Sequence, residues 1–129
     1  MMDYNEFINK IQASTGIVEE KDAVRAAQAT LNTLSERITG DEAHDMAAQL
    51  PEQIKEFTNV DEYAQRFSAD EFFERVSKKE GTNRKEAEQH SRAVIHVIKD
   101  AITGGEIDDI KDQLPEDFEV LFKAPPNVY

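Results

Sequence analysis

Two pairs of carboxylates recur at one spacing, and paired acids can do chemistry. Glu42 sits in Thr39-Gly40-Asp41-Glu42 and Glu106 in Thr103-Gly104-Gly105-Glu106, 64 residues further on. Glu52 and Glu116 repeat in the same way, in Gln49-Leu50-Pro51-Glu52 and Gln113-Leu114-Pro115-Glu116. Brought together across a pseudo-two-fold axis, such acids could serve as acid and base or hold a divalent cation. Each also falls in the first turn of an expected helix, where the helix dipole and the free backbone N–H groups favour an acid without any chemistry. No residue is therefore assigned as catalytic, as cofactor-binding or as a metal ligand. Glu42, His44, Glu106 and Asp109 stand as candidates for a site between the two corners.

Other patterns carry less. Asp41-Glu42-Ala43-His44 spells the hydrolysis box of some helicases, but no phosphate-cradling glycine-rich loop ending in Lys-Ser or Lys-Thr accompanies it. His44, His90 and His96 form no pair at helical spacing, and no Glu-x-x-His occurs, as a di-iron bundle requires. His90 follows Glu86 by one turn, so a surface contact between them is expected. Cys is absent and there is no Gly-x-Ser-x-Gly elbow, which removes the usual nucleophiles. No cofactor is expected.

The elements that position these residues are read from apolar periodicity. Asp3 and Glu6 form a capping box for a first helix with Tyr4, Phe7, Ile8 and Ile11 on one stripe, stopped by Gly16. A long helix follows, about Glu20 to Ile38, whose inner face carries the small residues Ala23, Ala26, Ala27 and Thr30 and admits a close neighbour. Gly40 is expected to end it, and Thr39 to cap a short helix bearing Ala43, Met46, Ala47 and Leu50. Pro51 suits the first position of a third piece that buries Ile54 and Phe57. Residues 60–67 are expected to pack as a connector with a short turn of helix, burying Val60, Tyr63 and Phe67.

The pattern then recurs. Ser68 and Glu71 cap a helix with Phe72, Phe73 and Val76, and Gly81 stops it. Asn83 caps a second long helix through Ala87, Ser91, Val94, Ile95, Ile98 and Ile102. Gly104 and Gly105 mark the second corner, followed by Ile107, Ile110, Leu114, Phe118, Leu121 and Phe122, and the Pro125-Pro126 tail is expected to be extended or frayed. The expectation is a single all-α domain over residues 1–129, of about eight helices. Its two tandem helical pseudo-repeats, about 3–58 and 69–122, share one core and are joined by the connector 59–68. Each copy alone would leave an apolar face in water, so mutual burial is the reason to clasp.

Composition bounds the function. The chain has 129 residues, 39% hydrophobic and 33% charged, with a net charge of −12. Such a field repels phosphates, so nucleic acid is disfavoured as a partner. No apolar run reaches membrane-spanning length, and Met1 to Glu6 has neither a basic nor an apolar leader region, so no membrane and a cytoplasmic location are expected.

One resemblance covers about Asp3 to Phe122. The Asp-Tyr-x-Glu-Phe start, the Ala-rich helix ending at Ile38-Thr39-Gly40, Glu71-Phe72-Phe73-Glu74-Arg75-Val76, Ala93-Val94 and the doubled Leu-Pro-Glu are similar to the domain-of-unknown-function family 2267. The resemblance implies a small, acidic prokaryotic helical protein with no assigned reaction. The expected function is a non-enzymatic helical interaction or regulatory module. It would meet a protein partner or a second copy through an apolar groove between the halves or a face near Phe57, Tyr63 and Phe67. The alternative is a small-ligand or divalent-metal-binding protein with its site between the repeats.

Overall fold

The computed structural model describes residues 1–58 and 63–125. They form seven α-helices and one 3-10 helix, with no strand among the described residues. The helices are α1 (Tyr4–Thr15), α2 (Glu20–Arg37), α3 (Gly40–Ala48), α4 (Glu52–Lys55), α5 (Ala69–Glu80), α6 (Arg84–Ala101) and α7 (Gly104–Asp112), and the 3-10 helix spans Glu116–Phe122. Lengths of 12, 18 and 9 residues occur in that order in α1 to α3 and again in α5 to α7.

Local chemistry sets the boundaries. Asp3, Thr39, Ser68, Asn83 and Thr103 each accept a hydrogen bond from the backbone N–H three residues on, satisfying a donor that the helix leaves free. Gly16 and Gly81 both end their helices at φ 78°, a left-handed conformation costly for any residue with a β-carbon. The corners differ from expectation. Gly40 does not stop α2. Ile38 turns extended there (φ −107°), and Gly40 is the first residue of α3. Gly104 likewise opens α7, after Ile102 turns extended. Pro51 precedes α4 in an extended conformation, so the third piece is a single turn.

The first helix of each half touches both long helices: α1 packs on α6 and α2, and α5 packs on α2 and α6, which also meet each other. Ala23, Ala26, Ala27 and Thr30 on α2 and Ala87 and Ser91 on α6 are fully buried, which lets these backbones approach closely. One continuous apolar cluster runs from Met2 and Phe7 through Leu31, Leu34, Phe72 and Val94 to Phe118 and Leu121. Polar ties seal its edge. Glu36 on α2 accepts from Lys79 at 2.8 Å and from Arg75 at 3.4 Å, both on α5. Asp117 accepts the Ala69 N–H at 2.8 Å, fixing the 3-10 helix to the start of α5.

The connector corrects one expectation. Tyr63 is 77% exposed rather than buried; residues 63–68 contain no helical turn, and residues 59–62, where the expected turn could also fall, lie outside the described residues. Phe67 is buried as expected, beneath the Arg75 guanidinium 3.8 Å from its ring centre. The Gln65 N–H donates to the Glu36 carbonyl at 2.8 Å, and Arg37 Nε donates to the Phe67 carbonyl at 3.0 Å. Val60 and residues 126–129 lie outside the described residues. No helix among the described residues is long and apolar enough to cross a membrane.

Candidate functional site

The two corner helices α3 and α7 pack on each other, and their ends are tied reciprocally. The Thr39 N–H, at the start of α3, donates to Gln113 Oε1 at 2.9 Å, and Gln113 Nε2 donates to Thr39 Oγ1 at 3.2 Å. The Thr103 N–H, at the start of α7, donates to Gln49 Oε1 at 2.8 Å. Each residue that follows the end of one helix therefore satisfies the start of the other, so the two run antiparallel. We expect Gln113→Ala to cost about 1 kcal/mol and Gln49→Ala somewhat less, because Gln113 makes two of the three bonds. Urea midpoints check this, and two neutral substitutions would contradict it.

The paired helices are only nine residues each, so side chains from their opposite N-terminal turns reach one another across the pairing. Glu42 and Glu106 occupy the same position after their capping threonines, and both are buried, at 8% and 7% exposure. Asp109 stands one turn beyond Glu106 on α7. One carboxylate oxygen from each of Glu42, Glu106 and Asp109 lies within 4.8 Å of the others. Three of the four residues singled out from sequence are thus assembled. The fourth, His44, is exposed on α3 and takes no part.

The electrostatics follow from this crowding. Burial, then the hydrogen bond and charge shared with Glu42, then the charges of Asp45 and Asp109, push the Glu106 carboxyl up to about 7. Two carboxylates at hydrogen-bond distance cannot both ionise cheaply, so the pair holds one proton between them near neutrality. Glu106 Oε1 is buried with no hydrogen-bond partner. A charged oxygen in that position is costly unless a proton or a cation compensates it. Asp45 is the residue that the sequence reading missed. Its signal was there: Glu42-x-x-Asp45 recurs as Glu106-x-x-Asp109, and residues three apart share a helix face.

The donor set is all oxygen. A cation 2.0–2.6 Å from each of three oxygens requires them to lie about 3–5 Å apart, which this cluster meets. Carboxylate oxygens without nitrogen or sulfur suit hard ions of the Mg2+, Ca2+ or Mn2+ kind.

The remaining sequence candidates are placed elsewhere. His90 does not meet Glu86. Its Nδ1 pairs with the buried Glu80 of α5, while Glu86 accepts from Thr82 Oγ1 at 2.5 Å. Glu52 and Glu116 are exposed at the starts of α4 and the 3-10 helix, which fits the dipole reading. The proposed partner face near Phe57, Tyr63 and Phe67 keeps Tyr63 alone exposed, since Phe57 is half-buried and Phe67 buried.

No curated protein matches the chain in sequence. A family's sequence profile does match, over residues 4–121, which takes in every helix from α1 to α7 and nearly all of the 3-10 helix. The chain belongs to the family described as uncharacterized conserved protein, DUF2267.

Proposed function

We propose that the protein is a non-enzymatic helical module that binds one divalent cation between its corner helices, with Glu42, Glu106 and Asp109 as ligands. In this reading the two runs of helices are copies of one hook, and the cation sits where the copies meet. A cation there replaces the proton that Glu106 holds near neutrality and tightens the seam between the halves. The module is regulatory in that sense: cation and proton compete for one buried pair of acids, and either occupant stabilises the clasp. The observation that carries the reading is the buried, partnerless Glu106 Oε1 beside two further carboxylate oxygens.

Melting temperature against CaCl2, MgCl2 and MnCl2 at pH 8 tests it, with NaCl matched for ionic strength. At a hundredfold excess over its dissociation constant, an ion bound by the folded state alone stabilises it by about 2.7 kcal/mol, a rise of several degrees. Glu106→Gln and Asp109→Asn should abolish the rise. A rise that survives in both variants, or that matched NaCl reproduces, would place the effect on the general acidic surface and refute the site.

A further inference from the structure

A second cleft, of about 440 Å3, opens at the opposite end of α5 from its capping serine, between the α5–α6 turn and the start of α2. Glu19, Asp22, Glu80 and Glu86 line it with Arg25 and His90. Glu80 is 7% exposed, yet only one of its oxygens is used, in the pair with His90 Nδ1; Oε1 is buried without a partner. Glu86 is held by Thr82, and Glu19 lies 3.4 Å from the largely exposed Lys21. Ile17 and Val18 line the same cleft, and Val18 is 89% exposed, an apolar side chain left in water beside four acids.

These features together specify a ligand. A partnerless carboxylate oxygen calls for a hydrogen-bond donor, and a cationic donor makes the strongest bond to it. Among the described residues, no three donors of this cleft come within 4.8 Å of one another, the spacing that a bare metal ion needs. The acids are spread around the opening and bordered by apolar surface, as suits a cation with methylenes between its charges. We propose that this cleft binds a short aliphatic diammonium ion, one ammonium donating to Glu80, the chain lying along Ile17 and Val18, and the second ammonium reaching the rim acids Glu19, Asp22 or Glu86. The imidazole of His90, held at Nδ1 by Glu80, fixes the carboxylate that receives the ligand.

Titration calorimetry of the full chain with 1,4-diaminobutane, at constant ionic strength, tests the proposal. We expect saturable binding of one equivalent, no binding of 1,4-butanediol, and weakening of about tenfold or more in Glu80→Gln. Glu74→Gln, on an exposed part of α5, should change affinity by less than about twofold, as expected of a distant screened charge. Should Glu80→Gln fail to fold, Glu86→Gln at the rim serves instead, with an expected loss of about threefold. Unchanged affinity in the folded cleft variant, equal weakening by Glu74→Gln, or displacement of the diamine by MgCl2 in Glu106→Gln, where the corner site is disabled, would each overturn the proposal. Glu106→Gln should retain diamine binding, so the two sites can fail independently.

Discussion

Replacing Glu106 by glutamine should raise the melting temperature at pH 8 by something on the order of 10 °C, although the residue is buried. The reason is linkage. The carboxyl has a folded-state pKa of about 7 against an ordinary 4.5, so the folded state binds its proton more tightly than the unfolded chain does. Its contribution to stability is complete below about pH 4.5 and is lost as pH rises to and through 7. Above that, the buried charge is carried at a cost on the order of 3 kcal/mol. Glutamine cannot ionise, and its amide can donate to Glu42. The wild-type and variant curves should converge near pH 4.5 and separate steadily up to pH 8. Carboxylates far from the cluster titrate alike in both proteins and cancel in the difference. A divalent cation should close the gap by stabilising the wild type alone. A variant destabilised equally at both pH values would mean that the Glu42–Glu106 pair is not strained by charge.

Phe72→Ala carries the other large effect. Phe72 is fully buried and meets Phe73 and Phe118 edge-on, at ring-centre distances of 5.7 and 5.9 Å. Through Phe118 it ties α5 to the 3-10 helix, and the ring of Phe118 in turn lies 5.4 Å from the Arg37 guanidinium on α2. Truncation leaves a cavity where three elements meet. The expected cost is about 3–5 kcal/mol, a large share of the roughly 5–15 kcal/mol available to a domain of this size. Phe122→Ala, at the half-buried end of the 3-10 helix, should cost far less. Urea denaturation of the two variants gives the comparison, and similar midpoints would contradict this packing hierarchy.

How much of this was legible depended on range. Four side-chain caps, Asp3, Thr39, Ser68 and Asn83, were readable because a capping residue and the backbone N–H that donates to it lie three positions apart; all four are in place, and Thr103 makes a fifth. Gly16 and Gly81 were readable as stops for the same local reason. Gly40 was misread because glycine alone does not say on which side of a cap it stands; the capping threonine one residue earlier makes it, like Gly104, the first residue of the next helix. Tyr63 was misplaced because an aromatic residue in a short segment implies burial, while here Phe67 fills that role under Arg37 and Arg75. His90 was assigned to Glu86 by helical spacing, whereas its partner Glu80 comes from the preceding helix, a tertiary contact that no spacing rule reaches. The carboxylate cluster lies between these cases. Its members were visible through the 64-residue recurrence, but their convergence depends on Gln49 and Gln113 fixing α3 against α7.

The most direct measurement is the number of protons released when a cation binds. CaCl2 can be titrated into the protein in buffers of different ionisation heat, at pH 6 and again at pH 8.5. If the ion displaces the proton held by Glu106, one ion should bind per chain, releasing about one proton at pH 6 and close to none at pH 8.5. No binding at pH 8.5, or binding with the same proton count at both pH values, would contradict it.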